Sequence, residues 1–317
     1  MCDKKEPYVL VFGASVVDIF GFSKSKYMPY NSTPGVVKMA FGGVSRNIAE
    51  NMARVGVSTK FISILGNDQK GQRMLDHSKV IGYDMSDSLI LEKGTTPTYM
   101  AILDEKGEMV SAIADMESIS EMNTDFIDAK GYIIRNAAYT FLDADDPENL
   151  GYILKKFEGK TKFVLDPISA AKAKNIRHLI KYFHTIKPNR HEAEVLAGFP
   201  IKNDEDLKKA GEYFLNLGIK NICISLDEEG VYYANGQSRG KIKVNHVAVK
   251  NVTGAGDAFV AGLGYGYMNN LSLEETIKFA MAMSIVTISH EAANHPDLNE
   301  KMIQEKVKNT NWIEVEY

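Results

Sequence analysis

Short apolar segments alternate with helical patterns through most of this 317-residue chain, and that alternation constrains its fold more than any other feature. The predicted strands are Tyr8–Phe12, Lys60–Leu65, Tyr132–Arg135, Lys162–Leu165, Thr185–Lys187 and Asn221–Ser225. Between them, apolar residues recur at helical spacing, for example at Ile48, Met52 and Val55. This order favours an α/β fold with a mostly parallel sheet, helices on both faces and right-handed crossovers.

Two regions break this order and are expected to form a small separate β unit. Residues 20–41 combine Gly, Ser, Pro and Tyr in a pattern of short exposed strands, and residues 95–116 form a predicted hairpin around EKGE. Ligands in open α/β sheets bind at the carboxyl edge of the strands, where these two regions would form a lid. The other segments, 1–19, 42–94 and 117–317, are assigned to the α/β core. An exposed lid edge also favours a homodimer.

The charge balance excludes several classes of partner. Lys and Arg number 37 against 41 Asp and Glu, so the net charge of −4 offers no surplus for binding nucleic acid. No segment approaches the roughly 20 apolar residues of a membrane span. The two cysteines, Cys2 and Cys223, lack metal-ligand spacing, and such scarcity is typical of the reducing cytoplasm. We therefore expect a cytoplasmic protein that acts on a small molecule.

The segment NVTGAGDAFVAG, residues 251–262, carries the strongest chemical signal. Gly254, Ala255 and Gly256 leave the backbone open to a ligand, and the free N–H groups at a helix start favour phosphate. Asp257 would repel a phosphate that is only bound, so its position indicates a role in transfer. It is expected to orient an incoming hydroxyl and to accept its proton late in phosphoryl transfer. The alternative is a glycine turn in which Asp257 caps a helix.

Two further segments are candidates for binding the hydroxyl groups of an acceptor. In FGGVSRNIAENMARVG, Gly42 and Gly43 predict a tight strand-to-helix turn. Asn47 follows in the first helical turns, where its amide can donate to and accept from sugar hydroxyls. In YVLVFGASVVD, Asp18 follows a strand that ends at Gly13 and can hold two vicinal hydroxyls. The alternatives are a surface Asn beside a glycine turn and an ordinary loop or capping Asp.

The segment IKPNRHEAEVLAG places Asn189 and Glu192 three residues apart, on one face of a helix that follows a strand. Glu192 either completes a capping box or lies with Asn189 near a hydrated Mg²⁺ ion and the transferring phosphates. The residues alone leave both interpretations open.

Two other patterns are interpreted as structural. An acidic run is assigned to a solvated loop that leads into a helix: Asp143, Asp145, Asp146 and Glu148. A glycine string within an apolar helical pattern is assigned to close helix packing: Gly262, Gly264 and Gly266.

Together and in this order, the four chemical segments resemble the ribokinase-like (PfkB) carbohydrate kinase family over almost the whole chain. The resemblance implies a three-layer α/β/α domain with a mostly parallel central sheet and a small β lid, with ATP as donor and Mg²⁺ as cation. It implies Asp257 as the catalytic base beside an anion hole of Gly254, Ala255 and Gly256. It implies contacts with acceptor hydroxyls for Asp18, Gly42, Gly43, Asn47 and Asp257.

The same resemblance implies contacts with the nucleotide. Asn189 and Glu192 match the family's Asn-x-x-Glu motif, which is linked to the placement of Mg²⁺ and phosphate. Ser225 and Gly230, in SLDEEG, lie where the family usually has a nucleotide-binding Thr-Leu-Gly-x-x-Gly. Asp227 replaces the middle glycine of that motif.

A monovalent-cation site is also implied. An Asp commonly opens the family's C-terminal signature, where Asn251 stands in this chain. If that position helps to hold K⁺, as in ribokinases, Asn251 and Thr253 are its candidate ligands, with weaker affinity than an Asp would give.

Among the subfamilies, three segments are most similar to pseudouridine kinases: FGGVSRNIAENMARVG, DPISAAKAKNIRHLI and HTIKPNRHEAEVLAG. The implied reaction is ATP-dependent phosphorylation of the 5′-hydroxyl of pseudouridine to pseudouridine 5′-phosphate. Asp166 and Lys172 are then candidates for recognising the base or the nucleotide, and the alternative for Lys172 is a solvated helix residue. Two other functions stay open: a sugar kinase of the same family, of the ribokinase or fructokinase type, and a non-catalytic regulator that binds a nucleoside or sugar.

Overall fold

The computed structural model describes residues 6–245 and 247–317, which contain fifteen strands and eleven α-helices. The strands are β1 (Val9–Phe12), β2 (Val16–Ser23), β3 (Gly35–Gly42), β4 (Thr59–Ile62), β5 (Ile64–Gly66), β6 (Leu89–Leu91), β7 (Thr98–Leu103), β8 (Met109–Asp115), β9 (Tyr139–Asp143), β10 (Lys162–Asp166), β11 (Thr185–Ile186), β12 (Asn221–Ser225), β13 (Val231–Asn235), β14 (Arg239–Val244) and β15 (Trp312–Glu316). The helices are α1 (Val44–Arg54), α2 (Gln69–Ile81), α3 (Thr124–Ala129), α4 (Gly131–Asn136), α5 (Pro147–Lys156), α6 (Ala170–Ile176), α7 (Arg190–Ala197), α8 (Asp204–Asn216), α9 (Ala255–Met268), α10 (Leu273–Ile288) and α11 (Glu300–Asn309). Cys2 and the start of the predicted core segment 1–19 lie outside the described residues.

Nine strands form one large sheet in the order β15-β14-β13-β12-β11-β10-β9-β1-β4. The six strands from β12 to β4 in this order pair in parallel, and β13, β14 and β15 continue the sheet in antiparallel pairing. Parallel neighbours require crossover connections, which the intervening helices supply. The predicted α/β class with a mostly parallel sheet is confirmed. In the described part of the chain, no helix is both long enough and apolar enough to cross a membrane.

Strand β1 explains why helices cover the sheet on both faces. All four residues of its VLVF sequence are buried. Leu10 and Phe12 pack into the apolar core beneath α3 to α8, whereas Val9 and Val11 pack into the core beneath α1, α2 and α9 to α11. Successive side chains of a strand point to opposite faces, so an apolar residue at every position needs a helical layer on each side. The result is the expected three-layer α/β/α arrangement.

A second sheet of four strands, in the order β3-β2-β7-β8, is built from the regions that break the α/β alternation. Strand β2 pairs antiparallel with β3 and parallel with β7, and β7 and β8 form an antiparallel hairpin. Every residue of β8 is exposed, whereas Val17 on β2 and Ala101 on β7 are buried. The inner strands therefore anchor this sheet to the core, and β8 is open to solvent.

The glycine string lies on α9 and allows close packing, as predicted. A Cβ atom at Gly262 would overlap the backbone of Ala280 on α10, and one at Gly266 would overlap the side chain of Thr276. Helix α9 is therefore held directly against α10, and this contact fixes the position of the N-terminus of α9.

One predicted strand is wrong, and another is divided. Tyr132–Arg135 lies in helix α4, and the strand is β9, which follows it. Periodicity cannot separate a helix from a strand over so short an apolar run, and here Ile134 is buried while Tyr132 is exposed. The segment predicted as one strand at Lys60–Leu65 forms β4 of the large sheet and then β5, which pairs with β6 in a separate two-stranded sheet.

Candidate active site

The N-terminus of α9 is not capped by a side chain, so its first amides are available to a ligand. Gly254 adopts a left-handed conformation with φ of 82° at the N-cap, and no side chain caps the helix. A Cβ atom at this position would overlap the carbonyl group of Ala293, so the turn requires glycine. The first amides of a helix lack an intrahelical acceptor and carry the positive end of the helix dipole. Together with Ala255 and Gly256, this turn has the free amides and small side chains that an anion hole needs.

Asp257 lies in the first turn of α9, and its carboxylate is bound by another predicted residue. Asn47 Nδ2 on α1 donates a hydrogen bond to Asp257 Oδ2 at 2.7 Å. Burial, and then the charge of Asp166, raise the pKa of Asp257 to about 7, against the Asn47 hydrogen bond and the charges of Lys187 and Arg46. A carboxylate that titrates near neutral pH is suited to accept a proton.

A buried lysine beside the N-terminus of α9 was assigned no role from the sequence. Lys187 follows β11 and is 6% exposed, and its Nζ lies 3.0 Å from the position that a Cβ atom would take on Gly256. The same Nζ lies 3.5 Å from Asp166 Oδ2. Burial disfavours the ammonium, but the charges of Asp166, Glu192 and Asp257 outweigh it and raise the pKa of Lys187. A charged ammonium therefore lies next to the N-terminus of α9.

Asp18 and the glycine pair lie against each other at the start of α1. Asp18 was expected just past the end of β1, with an ordinary loop or capping position as the alternative, but it lies within β2, opposite Ala40 of β3. A Cβ atom at Gly42 would overlap the Asp18 carboxylate, and one at Gly43, where φ is 96°, would lie 2.8 Å from the carbonyl oxygen of Ala14. Burial raises the pKa of Asp18. The glycines thus allow the carboxylate to lie directly against the turn that starts α1.

Asn189 and Glu192 form the capping box that was one of their two predicted interpretations. Asn189 Oδ1 accepts from the Glu192 amide at 2.9 Å, and Glu192 Oε2 accepts from the Asn189 amide at 2.8 Å. Asn189 Nδ2 also donates to Glu192 Oε1 at 2.9 Å, and burial raises the pKa of Glu192. Both carboxylate oxygens are engaged, so these residues fit a hydrated cation better than direct coordination. Within the described residues, no group of three His, Cys, Asp or Glu could hold a metal ion.

The segment SLDEEG continues from β12 beside this capping box. Ser225 forms an isolated bridge with Asn189, and its amide donates to the carbonyl of Pro188 at 3.0 Å. Gly230 has φ of 91°. Asp227, which replaces the middle glycine of the family motif, has φ of 51°, a left-handed conformation that Asp adopts more readily than most residues. The backbone therefore keeps a glycine-like turn despite the substitution.

Asn251 and Thr253 form the turn that leads into α9. Asn251 Oδ1 accepts from the Thr253 amide at 3.0 Å, and its Nδ2 donates to the carbonyl of Glu291 at 2.7 Å. The Asn251 side chain thus holds the turn together, and it offers no carboxylate to a cation. The K⁺ site at Asn251 and Thr253 stays a prediction.

The acidic run is not only a solvated loop. Asp143 ends β9 and is 8% exposed, and Ser45 Oγ donates to its Oδ2 at 2.6 Å. Burial, and then the charge of Asp145, raise the pKa of Asp143 to about 7. It lies in register with Asp166 of β10, whereas Asp146 caps α5. The loop interpretation is wrong for Asp143 because the preceding strand was predicted several residues too early.

The two candidates for base recognition are both paired. Asp166 faces Lys187, and its Oδ1 accepts from the amide of Ile168 at 2.8 Å. Lys172 Nζ binds Asp145, and both of these side chains are more than one-third exposed. Lys172 is therefore a partly exposed helix residue, which agrees better with the alternative of a solvated side chain than with base recognition.

Three contacts join the four predicted segments into one region. Asp18 meets Gly42, Asn47 binds Asp257, and Lys187 lies against Gly256. Residues that are far apart in sequence thus surround the N-termini of α1 and α9 at the carboxyl edge of the sheet.

Known proteins are similar to this chain in sequence and in fold. Residues 6–301 match the pfkB family of carbohydrate kinases. The chain belongs to this family. Over 98% of its length it is 34% identical to a pseudouridine kinase of Escherichia coli (strain K12), covering 99% of that protein.

Two solved structures extend this result. One from Clostridium perfringens is 65% identical, with a TM-score of 0.97 and 99% of each chain covered. An Arabidopsis thaliana ribokinase complexed with ribose and ATP has a TM-score of 0.80 at 20% identity, over 95% of this chain and 99% of that one. The latter likeness supports the ribokinase-like fold. The PfkB membership makes the protein a phosphotransferase with an alcohol acceptor, in a family of ATP-dependent kinases that bind small sugars or nucleosides.

Proposed function

We propose that this PfkB kinase transfers the γ-phosphate of ATP to the 5′-hydroxyl of pseudouridine. The observation that carries the proposal is the Asp257 carboxylate, which is bound by Asn47 in the first turn of the uncapped helix α9. The full-length similarity to a pseudouridine kinase supports the choice of acceptor. The residues that bind hydroxyls and phosphate are common to nucleoside and sugar kinases, so the base has to be tested separately.

Asp257 acts as the base in this proposal. An alcohol is far less acidic than a carboxylic acid, so Asp257 first orients the hydroxyl and accepts its proton as the new O–P bond forms. The raised pKa of Asp257, about 7, makes its carboxylate a stronger base and therefore a better acceptor for the proton of the hydroxyl. The hydrogen bond from Asn47 holds one oxygen and leaves the other for the hydroxyl.

The donor side uses the amides of Gly254, Ala255 and Gly256 together with the ammonium of Lys187. Charge on the transferring group is stabilised best by donors that are already in place before the reaction. Mg²⁺, when bound through water near Asn189 and Glu192, supplies additional positive charge to the phosphates. Ser225 and Gly230 are proposed to contact the nucleotide from the neighbouring turn.

The acceptor side uses Asp18, Gly42, Gly43 and Asn47. The Asp18 carboxylate can accept hydrogen bonds from two vicinal hydroxyls, as on a ribose ring. Because Gly42 and Gly43 have no side chains, the acceptor can approach the start of α1 closely.

The four-stranded sheet is proposed to act as a lid over this site. Asp18 itself belongs to that sheet, so movement of the sheet would carry an acceptor contact with it. Closure would exclude water and limit hydrolysis of ATP.

The exposed strand β8 is proposed as a pairing surface for a second copy. Sedimentation as a monomer at assay concentrations would contradict this pairing.

The substrate is tested by offering ATP with pseudouridine, uridine, adenosine, ribose or fructose. We expect the highest kcat/KM with pseudouridine and a product that carries phosphate on the 5′-oxygen, identified by phosphorus NMR. Higher kcat/KM with ribose or fructose would favour the sugar-kinase alternative and overturn the nucleoside assignment. A protein that binds acceptors without turnover would be the non-catalytic regulator.

A further inference from the structure

Helix α1 buries two opposite charges directly behind the proposed acceptor site. The side chains of Arg46 and Glu50 are each 4% exposed, and Arg46 Nη1 lies 2.5 Å from Glu50 Oε2. Taking two ions out of water carries a large desolvation cost, so a buried pair is weak evidence for stability. Their location requires an explanation other than helix stability.

Glu50 is held as a carboxylate by three cationic or polar partners. Besides Arg46, Arg54 Nη2 lies 2.7 Å from Glu50 Oε1, and His77 Nε2 on α2 lies 3.0 Å from Glu50 Oε2. Burial opposes ionisation of Glu50, but the His77 hydrogen bond and the charges of Arg46 and Arg54 outweigh it and lower its pKa. A fixed negative charge therefore anchors the guanidinium of Arg46.

The anchored guanidinium contacts the residue that binds Asp257. Arg46 Nη2 donates to Asn47 Oδ1 at 2.6 Å, and Asn47 Nδ2 donates to Asp257 Oδ2 at 2.7 Å. Arginine has only donors, so it can bind the amide of Asn47 only through the oxygen. That contact leaves the amide nitrogen facing Asp257. With the amide reversed, its oxygen would face the Asp257 carboxylate and repel it.

The charge of Arg46 also acts on the two carboxylates of the proposed acceptor site. It opposes the rise in the pKa of Asp18 and of Asp257 that burial causes. The other charged groups that face Asp257 are Asp166 at the end of β10 and Lys187 after β11. Arg46 is thus the cation that approaches Asp257 from the side of α1.

We propose that Arg46 is a positioning residue for phosphoryl transfer: held by Glu50, it fixes the Asn47 amide so that its NH₂ group faces Asp257. This role rests on the proposed base function of Asp257. Arg46 is buried and acts through Asn47. Glu50 supplies the anchor, and Arg54 contributes only to the charge balance of that anchor.

The first test compares three variants of the full-length enzyme with its best acceptor. Arg46→Gln should lower kcat about tenfold and move the acid limb of the pH profile to higher pH, because a positive charge near Asp257 is lost. Arg46→Lys keeps the positive charge, but an ammonium cannot bind Glu50 and Asn47 with the planar geometry of a guanidinium. For this variant kcat should fall while the acid limb stays in place. Arg54→Gln is the matched control, which loses a contact with Glu50 but none with Asn47, and it should stay within about twofold of wild type.

The second test is a double-mutant cycle with Asn47→Ala. The cycle is measured on the plateau of the pH profile, where Asp257 is deprotonated in every variant and the charge of Arg46 no longer changes the active fraction. If Arg46 acts through Asn47, the Arg46→Gln and Asn47→Ala double variant should there be no slower than Asn47→Ala alone. Losses that multiply would overturn the proposal, because they would place the effect of Arg46 outside this contact. If Arg46→Gln does not fold, as judged by circular dichroism, the cycle is decided with Arg46→Lys.

A third measurement separates this proposal from the proposed function. The carboxyl carbon of Asp257 is titrated by NMR in wild type and in Arg46→Gln, without any acceptor. A higher pKa in the variant shows that Arg46 acts on Asp257 whichever acceptor is used, and together with a lower kcat on the plateau of the pH profile it supports the positioning role. A higher pKa with an unchanged plateau kcat would overturn that role. An unchanged pKa, together with an unchanged kcat on whichever acceptor is turned over, would overturn the role and leave the kinase assignment intact.

Discussion

Helices α9 and α7 both begin at the carboxyl edge of the sheet, but their N-termini differ in chemistry. Helix α7 is closed by the reciprocal capping box of Asn189 and Glu192, whereas α9 starts at Gly254 and has no side-chain cap. The orphan amides of α9 are thus free for an anion, while those of α7 are partly used within the protein. Lys187 lies beside α9 and just before α7, so it adds positive charge where the amides are free.

The free amides of α9 are the reason why phosphate binding is proposed at this helix and not at α7. An acidic residue occurs in the first turn of both helices, Asp257 on α9 and Glu192 on α7. Glu192 is bound back to its own cap, but Asp257 is bound by Asn47 of another helix. The Glu192 carboxylate is thus part of a helix cap, whereas the Asp257 carboxylate is the proposed base.

The sharpest test of the comparison removes the proposed base. Asp257→Asn should lower kcat by at least about 10²-fold while the acceptor still binds, because the proton acceptor is lost but the shape is kept. Steady-state kinetics and acceptor titration measure the two effects. Asp206→Asn is the matched control, since Asp206 stands at the same position in the first turn of α8. Turnover close to wild type in Asp257→Asn would remove the distinction between the helices.

The pH profile should report the same carboxylate. Asp257 must be deprotonated to accept a proton, and its pKa is raised to about 7. The active fraction therefore falls as pH decreases through that value, by about tenfold for each unit once well below it. We expect kcat/KM for the acceptor to level off above about pH 8. A profile that is flat down to about pH 5 would indicate that Asp257 is not the base.

Adding a methyl group at the N-terminus of α9 should reduce activity less than the loss of Asp257 does. In Gly256→Ala the new methyl group would lie 3.0 Å from Lys187 Nζ, so the ammonium has to move from the anion site. We expect the KM for ATP to rise about five- to tenfold, with a smaller change in the KM for the acceptor. Gly236→Ala is the control, because no atom lies within 4 Å of a Cβ atom there. Equal KM values for ATP in the two variants would contradict the anion-hole assignment.

The smallest effect on activity is expected from a change in the capping box of α7. Glu192→Gln removes a charge but can keep part of the capping box, so stability should fall by at most about 1 kcal/mol. The concentration of Mg²⁺ needed for half-maximal rate should rise about threefold if Glu192 holds a hydrated ion. Glu275→Gln makes the same change in the capping box of α10 and measures the cost of altered capping alone. The same Mg²⁺ requirement in both variants would leave Glu192 with a purely structural role.

Local sequence was sufficient where function depends on backbone geometry. The turn at Gly254 and the turn at Gly43 require residues without a Cβ atom, and both could be read from glycine beside a predicted helix. The mostly parallel sheet could likewise be predicted from the alternation of strands and helices.

Local sequence failed where a side chain's role depends on its neighbours. Lys187 stands in a segment that was singled out, yet its importance comes from Gly256 and Asp166, which are distant in sequence. Arg46 resembled an ordinary helix residue until its burial against Glu50 was known. Asp143 was assigned to a loop because a short apolar run preceding β9 matched a strand equally well.

The amino-acid sequence alone determined the class of fold, the glycine turns and the family, because each rests on local conformation or on a linear motif. The tertiary structure decided which side chains meet: Asn47 with Asp257, Lys187 with Gly256, and Arg46 with both Glu50 and Asn47. The first two contacts join residues that are far apart in the sequence, whereas those of Arg46 are local to α1 and become significant because the fold buries them. The pKa of each group follows from these contacts and from this burial.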